Sequence, residues 1–255
     1  MKPAGNRTGF STRAVHAGKS VDVRTPPHTV PIYQTVNFEY KDFNELIQVG
    51  SGKSEGYWYS RYGNPTVDAL NRAVAELEAG EAAFAFASGM AAITSAFLSL
   101  VKPGDHVVSS SFLYGGSHAF LAKNLPELGV GVTFVDPFDK AALDRAFQKN
   151  TRVAYAEPLI NPTLGVVDVE AWAESARKHR AFFLVDNTFT PPPLFQPLTR
   201  GVDGVVHSMT KFIEGHGDTL GGIAVGKSAW MKSVRTCGKV YGGTLPPFNA
   251  WLTLR

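Results

Sequence analysis

Residues 182–211 read FFLVDNTFTPPPLFQPLTRGVDGVVHSMTK, and the fold turns on this stretch. Phe182–Val185 is a run of large apolar residues without alternation, the pattern of a strand buried on both faces. It stops at Asp186. After a proline-rich loop comes a second such run, Gly204–His207, which stops at Ser208-Met209-Thr210-Lys211. Apolar strands that each end in a polar cluster point to a mostly parallel sheet, in which ligands bind beyond the carboxyl ends of the strands.

The same alternation extends on the N-terminal side. Ala82–Phe86, His106–Ser109, Val130–Val135 and Arg152–Ala156 read as strands. Ala91–Leu100, Ser117–Leu125, Lys140–Phe147 and Val169–Lys178 read as the helices between them. Ahead of these, Thr66–Ala79 carries Leu70, Val74 and Leu77 at helical spacing, with Gly80 as its stop. Gly221–Val225 reads as a further strand, expected at an edge of the sheet. The class is α/β: a mostly parallel central sheet covered by helices. Residues 1–63 lack a clear period and carry Pro26, Pro27, Pro31, Gly50, Gly52 and Gly56. They are expected to form an extended arm that contacts a partner subunit, with residues 64–255 as the α/β domain.

Composition sets bounds on function. The chain has 255 residues, long enough for a sizeable core, and its 44% hydrophobic and 18% charged residues are those of a globular protein. A net charge of +3 without basic runs gives no footprint for nucleic acid. The uncharged run of 20 residues from Ala82 to Val101 is long enough to span a bilayer. Ser88-Gly89 interrupts it, and a buried strand, a tight turn and a buried helix explain it better. Met1–Phe10 is polar with no apolar core, so no signal peptide is expected. The single cysteine, Cys237, excludes an internal disulfide and suits a reducing compartment, so the cytoplasm is the expected location. The seven histidines show no metal-ligand spacing, and no metal is expected.

The polar residues at the strand ends are the candidates for chemistry. Ser88-Gly89-Met90 opens a helix with small residues, where backbone N–H groups and the helix dipole favour a phosphate. Asp186, at the mouth of a buried strand, can cap a helix, pair with a cation, or hold a cofactor's ring nitrogen protonated. Lys211 stands beside the hydroxyls of Ser208 and Thr210, where a partly desolvated amine would become nucleophilic. Ser208-x-x-Lys211 also fits a serine hydrolase, but the Ser-Asp-Asn and Lys-Thr-Gly motifs of that class are absent from the sequence.

Several longer motifs are more specific: Tyr57-Trp58-Tyr59-Ser60-Arg61-Tyr62-Gly63-Asn64-Pro65-Thr66, Ala87-Ser88-Gly89-Met90-Ala91-Ala92, Tyr114-Gly115-Gly116, Glu157 through Asn161-Pro162-Thr163, Val185-Asp186-Asn187-Thr188-Phe189, and His207-Ser208-Met209-Thr210-Lys211-Phe212. Their order and spacing, from about Thr12 to the last residue, resemble the Cys/Met-metabolism family of pyridoxal-phosphate (PLP) enzymes. The resemblance implies the aspartate-aminotransferase-like fold and pyridoxal 5′-phosphate as cofactor. It makes Lys211 the Schiff-base lysine and proton carrier, and Asp186 the partner of the pyridine nitrogen. Ser88, Gly89, Met90, Ser208 and Thr210 match the phosphate cradle. Tyr114 matches the aromatic stacked on the ring and Asn161 the amide near its 3′-oxygen. Tyr59 and Arg61 match residues that reach the neighbouring subunit's cofactor, which implies a homodimer, commonly paired into a homotetramer.

The resemblance leaves the reaction more open. The family contains enzymes that replace a γ-substituent and lyases that eliminate one, on sulfur-containing or homoserine-derived amino acids. Gly116 stands where methionine γ-lyases of the family carry a cysteine, which favours γ-replacement on an activated homoserine ester to form homocysteine or cystathionine. Methionine or cystathionine γ-elimination is the alternative. Family members also continue into a C-terminal domain that binds the substrate carboxylate. That domain is expected to be missing here, which leaves open a truncated PLP-binding protein of little activity.

Overall fold

The computed structural model describes residues 9–16 and 27–255. Residues 1–8 and 17–26, which include the polar N-terminal start and Pro26, lie outside the described residues. Ten helices and seven strands are formed among the rest. The strands are β1 (Ala82–Phe86), β2 (His106–Ser110), β3 (Gly131–Val135), β4 (Thr151–Ala156), β5 (Phe182–Asp186), β6 (Gly204–Ser208) and β7 (Gly222–Gly226). The helices are α1 (Phe10–His16), α2 (Phe43–Gly50), α3 (Pro65–Leu77), α4 (Gly89–Leu98), α5 (Gly115–Ala119), α6 (Leu125–Glu127), α7 (Lys140–Ala146), α8 (Val169–Lys178), α9 (Ser228–Tyr241) and α10 (Pro247–Leu254).

The strands form one sheet in the order β1-β7-β6-β5-β4-β2-β3. Strands β3, β2, β4, β5 and β6 run parallel, while β7 is antiparallel to both β1 and β6. The carboxyl ends of β1, β2, β4, β5 and β6 therefore lie along one edge, at Phe86, Ser110, Ala156, Asp186 and Ser208. Helices cover both faces. Tyr155, Leu184, Val206 and Ala224 pack on one side with Ile93, Phe97 and Val234 of α4 and α9. On the other, Phe183, Val185 and Val205 meet Trp172 and Ala176 of α8, and Ile223 and Val225 meet Leu70 and Val74 of α3. Two-sided burial explains why these strands carry no polar alternation. Each large side chain withdrawn from water here contributes roughly 1.5–3 kcal/mol.

Local chemistry sets the element ends. Ser88 caps α4 by accepting the N–H of Ala91, and Asp168 caps α8 by accepting that of Ala171. The uncharged 82–101 run resolves into β1, this cap and α4, and no helix among the described residues is long and apolar enough to cross a membrane.

Several expectations are corrected. Strand β7 lies inside the sheet, hydrogen-bonded on both sides, and β1 and β3 are the edges. Its return path is antiparallel, which a run that is apolar on both faces does not reveal. Helix α3 ends at Leu77 with Glu78 as C-cap. Ala79, at φ 58, makes the left-handed turn expected of Gly80, and the N–H of Gly80 bonds Ala75 O at 2.8 Å. The helix expected over Ser117–Leu125 runs from Gly115 to Glu127 and widens into a π turn at Phe120–Asn124. Residues 9–63 are not wholly extended, because α1 and α2 fall there. Thr66 Oγ1 accepts the N–H of Tyr33, and Asn64 Nδ2 donates to Tyr33 O, which ties the irregular segment to the start of α3. Helix α9 carried no helical reading in the sequence.

Candidate active site

A cavity of about 380 Å³ opens at the carboxyl edge of the sheet. Nine of the expected residues line it. Ser88, Gly89 and Met90 come from the β1–α4 turn, and Tyr114 from the residue before α5. Asn161 follows β4 and precedes a cis bond to Pro162. Asp186 ends β5, and Ser208, Thr210 and Lys211 follow β6. The segments that follow five strands, β1, β2, β4, β5 and β6, thus converge on one space.

Asp186 forms its floor. Only 7% exposed, its carboxyl accepts the N–H and the hydroxyl of Thr188 on Oδ1, at 3.1 and 2.5 Å. The other oxygen has only the Tyr155 hydroxyl, at 3.4 Å, at the outer limit of a hydrogen bond. Burial raises the Asp186 pKa, while the Thr188 bonds and the His207 charge oppose that shift. Among the described residues it makes no ion pair. A buried acid with an under-used oxygen facing a cavity fits a cationic ring nitrogen.

The opposite side fits an anion. The N–H groups of Gly89 and Met90 open α4 and have no intrahelical acceptor. A Cβ on Gly89 would lie 2.7 Å from Ser208 Cβ and 3.0 Å from its Cα, so only glycine lets this turn approach β6. The two hydroxyls differ. Thr210 Oγ1 is engaged with the Gly221 peptide, donating to its O at 3.2 Å and accepting its N–H at 3.1 Å, whereas Ser208 Oγ faces the cavity with no such bond among the described residues. Lys211 is exposed at the cavity wall, and its ammonium makes no ion pair among the described residues.

Two residues here carried no assigned role in the sequence reading. Glu157, 6% exposed, lines the cavity and accepts the Tyr114 N–H at 2.7 Å. Burial, reinforced by the charge of Asp186, pushes its pKa up to about 8. Thr188 joins Asp186 to β6, since its hydroxyl oxygen also accepts the N–H of Ser208 at 2.8 Å. Tyr59 and Arg61 lie outside the cavity. The Arg61 guanidinium sits over the Tyr62 ring at 4.7 Å and donates to Lys239 O at 2.6 Å, at the end of α9. No group of three or more His, Cys, Asp or Glu able to hold a metal ion occurs among the described residues.

The family model for Cys/Met metabolism PLP-dependent enzymes matches residues 11–255. The chain belongs to this family. Its cofactor is pyridoxal 5′-phosphate, and the anion-binding turn, exposed lysine and buried acid found in one cavity fit that group. An L-methionine γ-lyase of Pseudomonas putida is 41% identical over 249 residues, 97% of this chain and 63% of that protein. The crystal structure of metB from Corynebacterium glutamicum superposes with a TM-score of 0.91 at 38% identity, covering 98% of this chain and 63% of that one. An O-acetylhomoserine (thiol)-lyase structure from Campylobacter jejuni, which carries N′-pyridoxyl-lysine-5′-monophosphate, gives 0.89 at 28%, covering 97% of this chain and 70% of that one. The chain spans about 63% of the length of the first curated relatives it matches.

Proposed function

We propose that this chain forms the cofactor-binding part of a PLP-dependent enzyme that eliminates the γ-substituent of a sulfur-containing amino acid. The observation that carries this is the placement of Lys211 and Asp186 on one cavity with the close approach of Gly89, after β1, to Ser208, at the end of β6. The bound cofactor supplies an electron sink for the bond broken at Cα. Asp186 holds the proton on the ring nitrogen. The N–H groups of Gly89 and Met90, with Ser208 Oγ, bind the phosphate. The Tyr114 ring, 51% exposed on the cavity wall, would cover one face of the cofactor ring, and the Asn161 amide would serve its 3′-oxygen. Lys211, exposed on the cavity wall, would hold the cofactor through Nζ and would carry a proton at the substrate Cα. Elimination would break the Cγ–S bond and, with one water consumed to release the nitrogen, yield a thiol, ammonia and an α-keto acid.

The name of the 41% identical relative favours elimination, although the sequence alone leaned towards γ-replacement. A specific observation keeps replacement as a second reading. A Cβ at Gly116 would stand 2.6 Å from Tyr114 Cε1 and 3.1 Å from Met90 Sδ, so Tyr114 and Met90 occupy the space of any side chain at 116. Replacement would act on an activated homoserine ester. In both readings Tyr59 and Arg61 serve a neighbouring copy's cavity in a homodimer or homotetramer, a reading supported by their absence from the lining of their own; sedimentation of the holoprotein as a monomer would contradict this. A reducing, cytoplasmic location is supported by the single cysteine.

Product analysis with methionine, cystathionine and the acetyl and succinyl esters of homoserine, each with and without sulfide, tests the reaction. An α-keto acid with ammonia in the absence of sulfide supports elimination. Homocysteine formed only with sulfide supports replacement. Cofactor-loaded protein that gives neither contradicts both.

A further inference from the structure

On the sheet face opposite Asp186, beneath the same strand ends, lies a second polar group with no part in the chemistry above. Glu78, the C-cap of α3, is fully buried. Its Oε1 accepts two donors: His207 Nε2 at 2.5 Å and Asn187 Nδ2 at 3.1 Å. His207 immediately precedes Ser208, and Asn187 immediately follows Asp186. Strand alternation turns the His207 side chain away from the cavity while its neighbour faces it. Asn187 also donates to Phe195 O at 3.0 Å and accepts the Thr190 hydroxyl at 2.6 Å, and its own N–H bonds Val206 O at 2.9 Å. The cluster thus grips β5, β6 and the end of α3 at one point.

This is an expensive way to join three elements. A carboxylate at a helix C-terminus meets the negative end of the helix dipole. Glu78 Oε2 and His207 Nδ1 are both buried without a partner among the described residues, and such atoms are costly. Apolar residues of similar volume would join the same elements at equal or better stability. Stability alone therefore does not account for the pair.

We infer that Glu78, His207 and Asn187 are positioning residues that fix, from beneath the sheet, the spacing between Asp186 and the Ser208–Lys211 turn. The inference rests on the reading of the cavity as the PLP site. When protonated, His207 also favours the ionised form of Asp186, so the cluster acts on the ring-nitrogen partner as well as on the phosphate turn.

The test compares the full chain with the double variant Glu78→Leu/His207→Leu and with His207→Gln and His207→Leu singly. Three quantities are read: melting temperature without cofactor, the PLP dissociation constant from the visible absorbance, and the pH midpoint of that absorbance. The double variant is expected to melt at or above the wild-type temperature and yet bind PLP about tenfold or more weakly, with a displaced midpoint, a shift of one pK unit being tenfold in equilibrium. Gln retains an Nε2 donor, so His207→Gln is expected to bind nearer to wild type than His207→Leu. A folded double variant with wild-type affinity and midpoint overturns the inference. Where the double variant does not fold, equal binding by His207→Gln and His207→Leu does the same. A wild-type chain that never develops visible absorbance overturns the reading of the cavity instead.

Discussion

The hydroxyl of Thr188 donates to Asp186 Oδ1 at 2.5 Å. Thr188 Oγ1 in turn accepts the N–H of Ser208 at 2.8 Å, so one side chain couples the acid at the cavity floor to the phosphate-facing turn of β6. Thr188→Val keeps the shape and removes both bonds, leaving a buried N–H and a buried carboxyl short of a partner. Urea unfolding of the cofactor-free protein is expected to show a loss of about 1–3 kcal/mol. PLP affinity should fall with it. A variant as stable as wild type, binding equally well, would show that the bridge is incidental.

Glu157 gives a pH dependence with a defined sign. Its folded-state pKa is raised to about 8 by burial and by Asp186. Between its unfolded value and about 8 the folded protein binds more protons than the unfolded chain, so stability falls as pH rises through that window. Glu157→Gln can still accept the Tyr114 N–H but cannot titrate. In cofactor-free protein, the drop in melting temperature from pH 6 to about 8 should be smaller in Glu157→Gln than in wild type. Asp186, also raised, leaves part of the slope in place. Superimposable pH profiles for the two proteins would contradict the assignment.

Gly116 is tied to the placement of Tyr114. Gly116→Cys would put a Cβ 2.6 Å from Tyr114 Cε1, and the exposed ring is the part that yields. Loss of an aromatic stacking contact, worth about 0.5–1.5 kcal/mol, translates into PLP binding weaker by about two- to tenfold. Titration of the visible absorbance checks this, and unchanged affinity would mean that Tyr114 does not cover the ring.

What the sequence made legible was local. Apolar runs ending at Asp186 and at Ser208–Lys211 marked β5, β6 and the cavity edge, because two-sided burial removes polar alternation from the strand itself. The helix start at Ser88-Gly89-Met90 was readable because small residues follow the apolar run there. What escaped depended on distant pairing. The interior place of β7 rests on antiparallel bonds to β1, more than a hundred residues earlier in the chain. Glu78 and His207 are 129 positions apart, and neither has a local pattern that announces the other. Glu157 was visible in a motif, but its bond to the Tyr114 N–H spans 43 positions. Helix α9 mixes Lys232, Arg235 and Lys239 with Trp230, Met231 and Val234 at helical spacing, a pattern that was legible but lay beyond the strand-end motifs.

The central claim is that Lys211 Nζ bonds covalently to pyridoxal 5′-phosphate. The direct measurement is the mass of the protein after borohydride reduction in the presence of the cofactor, followed by peptide mapping. The account predicts one pyridoxyl-phosphate adduct per chain, mapped to Lys211, and none in Lys211→Ala. An adduct on another lysine, or wild-type protein that stays unmodified and colourless with cofactor in excess, would contradict it.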